Sequence, residues 1–238
     1  GFCGDTLASA LLANGVRLVG RSFKYHRPRG LLSAGPEEPN ALVELRAGAR
    51  REPNTRSTQV ELFDGLAAAS QNRWPSLGFD LRAVNAWFGP LLNAGFYYKT
   101  FMWPASFWEK VYEPMIRRAA GLGRAAGLED PDTYEKATLH CDLLVIGSGP
   151  AGLSAALVAA RGGARVAVCE QDFELGGRLL SERSTIDQAP AADWVARVAG
   201  ELASCPDVVV LRRTTVFAVY DQGSFAAVER VWDHAAVP

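Results

Sequence analysis

Along the chain, apolar and polar positions follow three successive regimes. In the first, DTLASALLANG (5–15) sets apolar residues at helical spacing behind an N-cap at Asp5 or Thr6, with Gly15 as the stop, and predicts a short helix. NALVELRA (40–47) alternates as a strand does. Between them lie the basic stretch RSFKYHRPRG (21–30) and SAGPEEPN (33–40), whose Gly, Pro and Asn content opposes regular structure. Residues 1–50 therefore read as a small α+β unit.

The periodicity weakens over 51–138. RREPNTRS (50–57) reads as a linker, and GFYYKTFMWPASFW (95–108) gathers aromatic residues with no clear period, as a segment wrapping another surface does. WEKVYEPMIRRAAGLG (108–123) is helix-like apart from Pro114, and the acidic, Pro-containing GLEDPDTYEK (127–136) leads to a boundary near residue 138.

The third regime is the most regular. HCDLLVIGSGPAGLSAALVAARGGARVAVCEQ (140–171) supplies an apolar strand, a glycine turn, an Ala-rich helix stopped by Gly162 and Gly163, and a second strand ending at Glu170. This is one βαβ unit. AADWVARVAGELAS then reads as a helix, VVVLRR as a strand, and TVFAVYDQGSFAAVERVW as two strands joined at Gln222 and Gly223. The fold class predicted is α/β and α+β, with a Rossmann-like domain over 139–238.

Composition narrows the picture. With 48% apolar and 21% charged residues, and a net charge of -1, the 238-residue chain reads as an ordinary globular protein with no domain-wide basic face, which disfavours nucleic acid as a partner. The uncharged run from Leu143 to Ala160 is broken by Gly147, Gly149, Pro150 and Gly152, so no membrane span is expected. Cys3, Cys141, Cys169 and Cys205 have neither metal-site nor disulfide-scaffold spacing, which predicts a reducing, cytoplasmic setting. The chain starts without Met and without a signal-peptide pattern, and is expected to be a processed or partial product.

The chemistry concentrates in the βαβ unit. Gly147, Gly149 and Gly152 form G-x-G-x-x-G between a strand and a helix, with Ser148, Pro150 and Ala151 filling the turn. Glycine lets the backbone approach a pyrophosphate, which the free amides and positive end of the helix then hold. Glu170 and Gln171 end the second strand. A carboxylate at Glu170 suits a ribose diol, which favours NAD or FAD over a 2′-phosphorylated cofactor. In ELGGRL, Gly176 and Gly177 allow close approach to the same dinucleotide, and Arg178 is expected to face a phosphate or, in the plainer reading, solvent. His26, His140 and His234 are too scattered for a metal site or a dyad.

GSGPAG with ELGGR resembles the first half of the two-dinucleotide-binding domains of flavin-linked oxidoreductases. Together with GDTLASALLANG, RSFKYHRPRG, AGPEEPNALVEL, GFYYKTFMWP and TTVFAVYDQGSFAAVERVWDH, in that order, it is similar to the N-terminal portion of the α subunit of heterotetrameric sarcosine oxidase. The resemblance implies a ferredoxin-like β-grasp unit at the N-terminus, NAD on the α subunit, FMN at the interface with the β subunit, and FAD within that partner. It also implies smaller partner subunits, and a sarcosine N-methyl carbon passed to tetrahydrofolate with oxygen as the electron acceptor. Substrate oxidation falls on the β subunit, so no catalytic residue is assigned here. A related amine or opine dehydrogenase subunit, or a non-catalytic NAD scaffold, is the alternative.

Relatives of such a β-grasp unit can hold a 2Fe-2S cluster on clustered cysteines; the loop after the first helix has none, so no iron-sulfur cluster is expected. Arg21, Lys24, Arg27 and Arg29 are expected to dock a neighbouring domain or the β subunit and to neutralise a flavin phosphate, or else to pair with Glu37 and Glu38. Tyr97, Tyr98, Phe101 and Trp103 are expected to line a flavin or an interface, or to wrap the nucleotide domain. A further strand is expected to close the cofactor site beyond Pro238, leaving the present chain marginally stable and a weak NAD binder.

Overall fold

In the computed structural model, residues 1–2, 4–90, 95 and 101–231 are described. Tyr97 and Tyr98 lie outside them. The chain divides into two compact units between Asp132 and Thr133.

The first unit opens with α1 (Leu7–Ala13), started by a capping box in which Thr6 and Ser9 each accept the other's amide. β1 (Gly20–Arg21) and β2 (Pro28–Arg29) pair antiparallel and turn the basic stretch into a short hairpin. β3 (Leu42–Leu45) is the centre of an antiparallel sheet, with β4 (Glu52–Arg56) on one side and β5 (Ala68–Ser70) on the other. The stretch expected as a linker is thus an edge strand. Pro53 and Asn54 concealed it from pattern reading, but an edge position tolerates a residue with no N–H to donate. Leu7 on α1 packs with Val19, Ala41, Val43, Leu45 and Val60 in the core. The segment Leu81–Phe88 follows as tight 3-10 turns, capped by Asp80. α2 (Glu113–Ala120) carries Pro114 in its first turn, where a missing N–H is tolerated, and ends on Gly121 in the left-handed region.

The second unit is a parallel three-stranded sheet with helical crossovers. β6 (Leu143–Ile146), α3 (Pro150–Arg161) and β7 (Val166–Cys169) form the expected βαβ, and Leu143 pairs with Val166. After the short hairpin of β8 (Thr185–Ile186) and β9 (Ala189–Pro190), α4 (Ala191–Ser204) leads to β10 (Val208–Leu211), which joins the far side of β7. The sheet order β10-β7-β6 leaves β7 central, and all four of its residues are buried. Leu153, Ala156, Val198 and Leu202 bring α3 and α4 into the core with it. β11 (Thr214–Tyr220) and β12 (Ser224–Glu229) form an antiparallel hairpin turned by Asp221–Gly223.

Candidate functional site

Three loops meet at the C-terminal end of the parallel sheet, where ligands gather in such sheets. The first is the glycine turn after β6. Gly147 has φ +93°, and its amide donates to the Cys169 carbonyl at 2.8 Å. A β-carbon on Gly152 would lie 2.0 Å from the Gly147 carbonyl oxygen, so the helix can begin this close to the strand only without a side chain there. At Gly149 a β-carbon would meet nothing within 4 Å. The space over Gly149 is open, and α3 has no side-chain cap, so its first-turn amides are free for an anion. Pro150 occupies the one early position that needs no donor, and Ala151 is exposed.

The second loop begins at Glu170. The residue is only 6% exposed, and its carboxylate points back to the glycine turn. Oε2 accepts from the Ser148 amide at 2.7 Å and the Ser148 hydroxyl at 2.6 Å, while Oε1 accepts from the Asp172 amide at 2.9 Å. Gln171 accepts from Arg230 through its carbonyl at 3.0 Å. Asp172, two residues on, escaped sequence reading. Burial pushes its carboxyl up to about 6, against the hydrogen bond from the Phe173 amide that favours the ionised form, and the Glu170 carboxylate nearby reinforces the rise. The acidic spacing EQDFE was the available signal.

The third loop carries Gly176 (φ +126°) and Gly177 (φ +54°). The Gly176 amide reaches the Ser148 carbonyl at 3.1 Å and its hydroxyl at 3.2 Å. A β-carbon on Gly177 would stand 3.2 Å from the Gly149 α-carbon, so this loop lies directly against the glycine turn. Arg178 does not join them: its side chain is 77% exposed and pairs with Glu182, with Nε to Oε1 at 2.7 Å. The solvent-facing alternative describes its place.

The basic hairpin is partly engaged in contacts within the fold. The Arg21 guanidinium donates to the carbonyls of His26, Leu77 and Gly78, at 2.7 to 3.2 Å, and so ties the hairpin to the loop before Leu81–Phe88. Four of its five N–H donors are thus engaged within the fold. His26 is fully buried, with Nδ1 2.6 Å from Asp80 Oδ2; Asp80 Oδ1 also accepts the amides of Trp74 and Arg82. Lys24 and Arg27 stand over the Tyr25 ring, 5.2 and 4.9 Å from its centroid, and Arg29 is exposed. Glu38 is fully buried, but its carboxylate accepts from the amides of Leu32, Ser33 and Asn40 rather than from arginine side chains. Burial raises its pKa and these amides outweigh it, leaving the carboxyl below its usual range. The Glu38 carboxylate is thus held by backbone amides. Phe101 packs on Tyr112, with ring centroids 5.0 Å apart, and Trp103 is exposed.

Comparison with known proteins adds to this geometry. Residues 1–73 match a family described as a 2Fe-2S iron-sulfur cluster binding domain, and residues 142–228 match FAD dependent oxidoreductases. The first match overturns the expectation that no iron-sulfur cluster belongs to this unit. Counting cysteines reads a few positions, whereas the family match reads the pattern of the whole unit. Within residues 1–73 the sequence has one cysteine, Cys3. Over its whole length the chain is 62% identical to sarcosine oxidase subunit alpha of Rhizobium meliloti (strain 1021) and 36% identical to that of Corynebacterium sp. (strain U-96). It spans 24% and 20% of those relatives. Among solved structures, L-proline dehydrogenase from P.horikoshii superposes with a TM-score of 0.52 at 16% identity, covering 96% of this chain and 34% of that one; this supports a shared fold.

Proposed function

We propose that this chain, similar from end to end to the N-terminal part of the sarcosine oxidase α subunit, is the dinucleotide-binding portion of a complex that oxidises the CH–NH bond of sarcosine. The observation that carries the reading is the glycine turn: open space above Gly149, uncapped first-turn amides on α3, and an acid at the end of the neighbouring strand. The pyrophosphate of the dinucleotide lies on Gly149, Pro150, Ala151 and Gly152, in the Rossmann manner, and the adenosine ribose lies toward Glu170 and Gln171. Gly177 forms the opposite wall.

NAD is the dinucleotide that this reading assigns to the site. The match of residues 142–228 to FAD dependent oxidoreductases favours FAD as a second reading at the same turn. When bound, either cofactor supplies hydride chemistry, while this chain binds and orients it. In the complex, the one-carbon unit from sarcosine passes to tetrahydrofolate and oxygen accepts the electrons. No residue of this chain is assigned as acid, base or nucleophile; oxidation belongs to a β subunit. Lys24, Arg27 and Arg29 serve as a docking face for that partner.

Two measurements test the proposal. Nucleotide released after denaturation from the purified full-length α subunit bearing these residues, identified by mass, is expected to be NAD, with FAD as the second reading's outcome and neither refuting both. Sarcosine-dependent peroxide formation is expected when the full-length α subunit bearing these residues is combined with its β partner, and no peroxide with a complete, flavin-loaded complex refutes the substrate assignment.

A further inference from the structure

The Ser148 side chain is fully buried, and it is the point at which the three loops of the site are joined. Its hydroxyl donates to Glu170 Oε2 at 2.6 Å and accepts from the Gly176 amide at 3.2 Å. Its own amide donates to the same carboxylate oxygen at 2.7 Å, and its carbonyl accepts from Gly176 at 3.1 Å. Every polar group of one residue therefore links the glycine turn to the acid or to the paired-glycine loop. Apolar small residues would fill the same volume. A hydroxyl at this position both holds the carboxylate in one orientation and receives the Gly176 amide.

A carboxylate has about four acceptor positions, two on each oxygen. The two Ser148 donors occupy Oε2, and the Asp172 amide takes one position on Oε1. One acceptor position remains, and it is on Oε1. Resting on the dinucleotide reading above, we infer that Ser148 is a positioning residue: its hydroxyl locks Glu170 so that Oε1 alone reads a single hydroxyl of the adenosine ribose. The pair of hydroxyls is not gripped by both carboxylate oxygens, as an unrestrained acid would grip it.

The test uses ADP, 2′-deoxy-ADP and 3′-deoxy-ADP, titrated calorimetrically into the wild-type full-length α subunit bearing these residues and into its Ser148→Ala and Ser148→Thr variants. In the wild type, one deoxy analogue is expected to bind roughly tenfold more weakly than ADP and the other about equally, as loss of one hydrogen bond to a charged acceptor predicts. In Ser148→Ala that discrimination is expected to collapse, and in Ser148→Thr, which keeps the hydroxyl, to survive. A general loss of stability would weaken all three ligands together and leave their ratios unchanged. Equal losses for both deoxy analogues in the wild type, or discrimination that persists in Ser148→Ala, would overturn the inference while leaving nucleotide binding in place. Failure of wild type to bind ADP at all would overturn the dinucleotide reading and this inference with it. Should Ser148→Ala not fold, Ser148→Cys, which keeps the shape and donates only weakly, decides by the same ratio.

Discussion

Two glycines of one motif have opposite duties. Gly152→Ala places a β-carbon 2.0 Å from the Gly147 carbonyl oxygen, so turn and helix must separate. Overpacking of this kind costs about 1–3 kcal/mol, and urea denaturation is expected to show that loss. Gly149→Val meets no protein atom at its β-carbon. It is expected to keep the stability of the wild type and lose the nucleotide, because the side chain enters the space assigned to pyrophosphate; full nucleotide retention would refute that assignment. Asp172 adds a pH dependence whose sign is fixed. An acid raised from the usual value of 3.8 to about 6 in the fold binds more protons folded than unfolded between those values, so stability falls as pH rises through that window. Asp172→Asn is expected to remove the fall and to raise stability at pH 7 by about 2 kcal/mol, read from denaturation at pH 4 and pH 7.

At the scale of elements, the basic hairpin separates into a strut and a face. Arg21 ties β1 to the carbonyls of Leu77 and Gly78, and Asp80 joins His26 to the cap of the next turns. Arg21→Ala leaves those carbonyls without their charged donor and is expected to cost about 2 kcal/mol in thermal or chemical unfolding. Arg27→Ala with Arg29→Ala, on exposed side chains, is expected to leave stability within about 0.5 kcal/mol. The same pair is expected to weaken association with the β partner, most strongly at low salt. Association unchanged across a salt series would remove the docking role from this face.

For the molecule as a whole, the division between Asp132 and Thr133 sits in a long exposed stretch. Residues 128–140 are all exposed and have no helix or strand, and Lys136 offers a tryptic site there. Limited trypsin digestion is expected to cut first at Lys136 and to yield two resistant fragments, since backbone without buried contacts opens at little cost. First cleavage within β3 or α4 instead would show that the units are not independently compact.

Local patterning determined much of this protein. The helix at 7–13, the βαβ unit and the final hairpin were legible because each is encoded by spacing within a dozen or so residues: apolar periodicity, glycine stops, a strand-turn-strand run. The glycine turn and its acid were legible for the same reason. The edge strand Glu52–Arg56 was not, since Pro53 and Asn54 break the pattern and only pairing with Leu42–Leu45 makes it a strand. Nor could the sequence decide what its charged side chains meet. Arg21 finds carbonyls 56 and 57 residues away, His26 finds Asp80 54 residues away, and Glu170 turns toward Ser148 across 22. Those partners are chosen by burial, which demands that each polar group find whatever donor or acceptor the packed fold has brought within reach, and that choice exists only once the chain has folded.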